Sequence, residues 1–114
     1  MASTTAPITQ TIPPYPASAV AAVMQEELLR AVRSRFRRKG QPLPLADDEV
    51  VLLVVEIDSL TVVELLSNLD DILPFKVTES AVKAGGYGSI EAAVKHVVSR
   101  IETRWNKHHK GGKS

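Results

Sequence analysis

Asp58-Ser59-Leu60-Thr61-Val62-Val63-Glu64-Leu65-Leu66-Ser67-Asn68-Leu69-Asp70-Asp71-Ile72-Leu73, closed by Pro74, is the stretch from which the rest of the chain is read. Apolar side chains recur in it at three- and four-residue steps, with Leu60, Val63, Leu66 and Leu69 on one stripe and Leu65 and Ile72 beside it. That period belongs to an amphipathic helix. Proline cannot continue a helix, so the spacing predicts one that begins near Ser59 and closes before Pro74. Thr61-Val62-Val63-Glu64 has the spacing of a capping box and offers a rival start two residues later. The polar side of this helix presents Glu64, Asp70 and Asp71 and no basic residue. A serine hydroxyl therefore stands at the start of an acidic helix, directly after a loop. Asp and Ser are also ordinary helix caps, so the tripeptide by itself reads first as a plain helix start, and only the combination with the rest of the pattern carries weight.

Upstream, Val20, Met24, Leu28, Val32 and Phe36 recur every four residues, joined by Ala21 and Ala31. They predict a first helix that starts at Ser18 as N-cap and stops at Gly40. Arg30, Arg33, Arg35, Arg37, Arg38 and Lys39 crowd its last turns, where the helix dipole favours cations. Pro42 and Pro44 then impose a long connection. It ends in Val50-Val51-Leu52-Leu53-Val54-Val55, a run with strand composition. No second β-rich run is present to pair with it, so a buried loop or short helical turn packed across the bundle is expected instead. Downstream, Thr78 can cap a short helix that ends at Gly85-Gly86, with Ala81 and Val82 facing inward. From Ser89, Ile90, Val94, Val97, Ile101 and Trp105, with Ala93 and Val98, form a long closing helix. The expected fold is all-α: an antiparallel-type four-helix bundle of three longer helices and one short one, with a long loop between the first two.

A chain of 114 residues fits one compact unit and leaves no room for a second core. Residues 1–17, rich in Thr, Ala and Pro, read as a disordered leader, residues 18–106 as the helical domain, and residues 107–114 as a flexible basic tail. His108 and His109 are two adjacent ligands without a third, which is a poor metal site. No apolar stretch approaches the roughly 20 residues that span a bilayer, and no secretory signal is evident, so a cytoplasmic protein without membrane insertion is expected. The chain has no cysteine, and any thioester must form on an added group. The net charge of +1 hides a segregation. Ser18 to Gly40 carries six basic and two acidic side chains, Gln41 to Val82 one and nine, and Lys83 to Ser114 seven and two. Such asymmetry bears on partners rather than on fold.

Residues 18 to about 101 resemble an acyl carrier protein. A first helix, a long loop, Asp58-Ser59-Leu60 opening an acidic second helix with Val63-Glu64-Leu65 and Asp70-Asp71, a short third helix and a closing fourth follow that family's pattern. The family's glycine two residues before the aspartate is replaced by Glu56. The resemblance implies that Ser59 carries covalent 4′-phosphopantetheine, that the protein shuttles an acyl thioester, and that it is not itself an enzyme. It implies a phosphopantetheinyl transferase as partner, which brings coenzyme A and Mg²⁺ to the Ser59 oxygen nucleophile. Asp58 then orients the metal or the partner, or simply caps the helix, and the helix start suits a phosphodiester. Leu60, Val63, Glu64, Asp70 and Asp71 become the docking surface for acyl-loading and acyl-using enzymes that present Arg and Lys. Leu65 and Leu69 are expected in the core.

Aspartate before the serine resembles the acyl class more than the peptidyl or aminoacyl carriers, which remain the alternative. The basic first helix and tail resemble a specialised free-standing member, expected as a monomer in lipid modification, fatty acid, polyketide or aminoacyl pathways. A reading from another class is a small helical nucleic-acid or protein-interaction module built on Arg30 to Lys39, whose phosphate contacts would weaken with salt. The near-neutral total and the acidic middle stand against nucleic acid as a partner. His96, His108 and His109 show no catalytic constellation, and Ser59 has no evident base in the sequence.

Overall fold

The computed structural model describes residues 13–111; the expectations for residues 1–12 and 112–114 lie outside the described residues. Among the described residues there are four α-helices, α1 (Ala17–Arg38), α2 (Asp47–Leu52), α3 (Ser59–Leu65) and α4 (Ile90–Gly111), with 3₁₀ turns at Leu66–Leu69 and Glu79–Ala81. The described residues contain no strand, and among them no helix is long and apolar enough to cross a membrane.

The α1 period places Val20, Met24, Leu28 and Val32 in the core, together with Leu29. Its start differs from expectation. Pro16 occupies the N-cap position without a side-chain cap, and Ser18 lies inside the helix. Its end is as read. Gly40 takes φ 68°, Gly40 N–H donates to the Arg37 carbonyl at 3.1 Å and Gln41 N–H to the Phe36 carbonyl at 2.9 Å. Those two bonds form a Schellman cap.

Two contacts give the relative direction of α1 and α4. Before α1, Tyr15 Oη donates to the Val98 carbonyl at 2.8 Å and Trp105 Nε1 donates to the Pro13 carbonyl at 2.8 Å. The last turns of α1 lie at the other end, where Arg35 shares a groove with Ile57, whose backbone pairs with Tyr87 just ahead of α4. The two long helices are therefore antiparallel. Residues 13–16, counted with the leader in the sequence, are thus tied to α4. The helix also runs through Lys107-His108-His109-Lys110, which the sequence reads as tail; the His109 ring lies tilted against Trp105 at 4.4 Å and the His108 ring tilted against Phe75 at 5.2 Å, centroid to centroid. Ring contacts with Trp105 and Phe75 accompany helical order in this polar stretch.

The expected long second helix is shorter. After Leu65 the backbone tightens into 3₁₀, and the inward stripe is Val62, Leu66, Leu69 and Leu73 rather than the one through Leu60 and Val63. The short third helix reduces to Glu79–Ala81, and Thr78 makes no side-chain cap but bonds Ser80 Oγ at 2.9 Å. Ser89 does cap α4, accepting from Ala92 N–H at 3.0 Å. The Val50–Val55 run divides. Val50 and Val51 face inward from α2, Leu52 and Val54 are 62% and 88% exposed, and Val55 and Ile57 return to the core. The extended piece finds a partner after all: Val55 N–H donates to the Gly88 carbonyl at 3.0 Å, and Ile57 and Tyr87 exchange both backbone bonds at 2.9 and 2.8 Å.

Candidate functional site

Ser59 is the first helical residue of α3 and is half-buried, and its hydroxyl has no hydrogen-bond partner among the described residues. The cap is Asp58, not Ser59 or Thr61. Asp58 Oδ1 accepts from Thr61 N–H at 2.8 Å, and this bond, supported by the nearby Arg35 charge, holds the carboxyl below its ordinary value of 3.8. Hydrogen bonds to the ionised form have that effect. Capping by the neighbour leaves the Ser59 hydroxyl unengaged.

The loop that delivers Ser59 is held from the opposite side by residues 83–88. Gly86 sits at φ 84°, where a Cβ would run into the Ile57 carbonyl oxygen and come within 2.9 Å of the Asp58 Cα. Only glycine allows two backbones that close. The sequence reads Gly85-Gly86 as a helix stop, so this role is not visible there; the one pointer is that a single terminating glycine would suffice. Tyr87, buried to 7% exposure, locks the same loop. Its hydroxyl accepts from Lys83 N–H at 2.7 Å and is hydrogen-bonded to His96 Nδ1 at 2.7 Å. His96 is thereby engaged in holding the loop rather than in activating Ser59.

Around Ser59, Leu60 is 64% exposed, Val63 is half-buried, and Glu64, Asp70 and Asp71 are exposed. These residues do not form one uninterrupted acidic face, because α3 ends before Asp70 and cations stand nearby. Glu64 and Thr61 share a groove with Arg35 and Arg38 of α1, and Asp70 lies 3.9 Å from Lys76. The acidic helix thus borders the basic one, which sequence periodicity cannot reveal because it carries no information on which helices are neighbours.

The basic cluster of α1 is also divided in its tasks. Arg30 pairs with Glu26 and Glu27 at 3.3 and 3.6 Å. Arg33 donates to the Pro44 and Leu45 carbonyls at 3.0 and 3.1 Å and to Asp47 Oδ1 at 2.7 Å, pinning the connection to α2. Among the described residues no group of three or more His, Cys, Asp or Glu is placed to hold a metal ion. No family model matches the chain, and no curated protein or solved structure matches it either.

Proposed function

We propose that the protein is an acyl carrier whose 4′-phosphopantetheine is attached at Ser59, on a helical bundle of the carrier type. The observation that carries this reading is the Ser59 hydroxyl itself: half-buried, unbonded among the described residues, on the first turn of a short helix whose cap is made by Asp58. A loop clamped by Gly86 and Tyr87 precedes it, so the nucleophile is held in position without being activated. Activation belongs to the transferase. The Ser59 oxygen attacks the pantetheine-bearing phosphorus of coenzyme A, a phosphodiester forms, the pyrophosphate bond breaks, adenosine 3′,5′-bisphosphate leaves, and the hydroxyl proton passes to a base on the enzyme. Mg²⁺ on the transferase offsets the charge that develops on the leaving phosphate.

Leu60 and Val63 offer an apolar contact beside the attachment point, and Glu64, Asp70 and Asp71 offer acidic ones to basic enzymes of a specialised lipid or secondary-metabolite pathway. Complementary charge favours fast, reversible encounter, which suits a carrier. The cargo is an acyl group, with a peptidyl or aminoacyl group as the alternative. Ser59→Ala tests the reading: incubation with a broad-specificity transferase and coenzyme A should leave it unmodified, with a far-UV circular dichroism spectrum like the wild type. An S59A protein still loaded at another side chain would refute the assignment.

A further inference from the structure

At the end of α4 away from Ser59 lies a cleft of about 150 Å³ between α4 and the segment 75–81. It starts ten residues beyond Ile90, so at a rise of about 1.5 Å per residue it stands about 15 to 25 Å from the Tyr87 clamp along the helix axis. Arg100, Arg104 and Lys107 line it at the spacing that puts all three on one side of a helix. Unlike the groove beside Glu64, its lining contains no carboxylate, and none of the three cations has one within 4 Å among the described residues. The guanidinium groups are held in place. Arg100 Nη2 donates to the Ser80 carbonyl at 3.3 Å, and the Arg104 guanidinium lies 4.7 Å over the Phe75 ring. Thr78 and Ser80 add hydroxyls to the rim, while Phe75, Ala81 and Ile101 give the cleft an apolar side.

From this arrangement we infer that the α4 cleft binds a small phosphate monoester, the phosphate held by Arg100, Arg104 and Lys107 and the short apolar stem resting against Phe75 and Ala81. Two pre-placed guanidinium forks and an ammonium match the several oxygens and the double charge of a monoester better than they match a single carboxylate. A cleft of this volume has room for a phosphate and a few carbons. Restraint of Arg100 and Arg104 before binding reduces the ordering cost of association. The site is independent of anything carried on Ser59.

Trp105 is the only tryptophan and sits edge-on to Phe75 at 6.5 Å, so its fluorescence reports on occupancy. Titration of the full chain with propyl phosphate should give a saturable change at millimolar concentration or below, whereas propanol and sodium chloride at matched ionic strength should not. Arg100→Gln with Arg104→Gln should weaken the ester at least tenfold, Lys107→Gln severalfold, and Arg37→Gln on α1 not at all. Sedimentation with phosphatidic acid vesicles distinguishes the source: a soluble ester is expected to bind without the protein following the vesicles, and co-sedimentation that propyl phosphate reverses would assign the same cleft to a lipid headgroup. Affinity unchanged in both the double variant and Lys107→Gln, or an equal response to propanol, overturns the inference.

Discussion

Replacing Gly86 by alanine probes the loop that positions Ser59. The backbone there holds φ 84°, a conformation that costs a residue with a Cβ about 1–3 kcal/mol. The new methyl also meets the Ile57 carbonyl oxygen and the Asp58 Cα, both main-chain atoms that cannot swing aside. Relief requires moving the 83–88 segment away, which loses the paired Ile57–Tyr87 backbone bonds, at about 0.5–1.5 kcal/mol each. The expected destabilisation is about 2–6 kcal/mol, a substantial part of the roughly 5–15 kcal/mol typical of a small domain. Gly85→Ala is the matched control. Gly85 has φ 94°, but a Cβ there would meet nothing within 4 Å, so it should show the conformational cost alone, about 1–3 kcal/mol. Urea unfolding followed by circular dichroism measures both, and loading of Ser59 should slow in the Gly86 variant only. If Gly86→Ala proved no more costly than Gly85→Ala, the close approach of the two loops would not be what requires glycine.

Burial, and secondarily the charge of Glu102, push the Tyr15 hydroxyl from 10.0 up to about 12. A proton held more tightly in the folded state stabilises fully below about pH 10, and that contribution is lost as pH rises towards about 12. The stability advantage of wild type over Tyr15→Phe should therefore shrink across that window, and an ultraviolet titration in which every tyrosine ionises near 10 would contradict it. Arg33→Gln removes three hydrogen bonds to the α1–α2 connection and should cost about 1–2 kcal/mol in denaturant unfolding, whereas Arg37→Gln should cost less than about 0.5 kcal/mol. Glu64→Lys combined with Asp70→Lys and Asp71→Lys should slow phosphopantetheine transfer mainly through association, and the wild-type rate should fall with salt as screening shortens the reach of surface charge to about 8–10 Å. Unchanged transfer by the triple variant would remove these residues from the docking surface.

The long helices are legible in the sequence because each buries one stripe at helical spacing, from Val20 to Val32 and from Ile90 to Trp105, and because Gly40 ends the first with its own φ. The stretch after Ser59 is legible in position but not in length or facing. Its apolar residues cover so much of the helix circumference that Leu60 and Val63 compete with Val62 for the inward side, and only packing against α1 decides. Asp58 as cap follows from residue type once Ser59 is placed inside the helix. The clamp by Gly86 and Tyr87 depends on pairing across about 30 residues of chain, a distance that local composition does not encode. The same holds for Arg35 beside Glu64, since two helices of opposite charge in the sequence become neighbours only in the fold.

Whether Ser59 is the attachment point is decided by intact-mass measurement followed by peptide mapping. After incubation of the wild-type protein with coenzyme A, Mg²⁺ and a broad-specificity phosphopantetheinyl transferase, the mass should rise by one phosphopantetheine, located on the peptide that contains Asp58-Ser59-Leu60. An unmodified protein, or a modification mapped to any other residue, would contradict the carrier assignment.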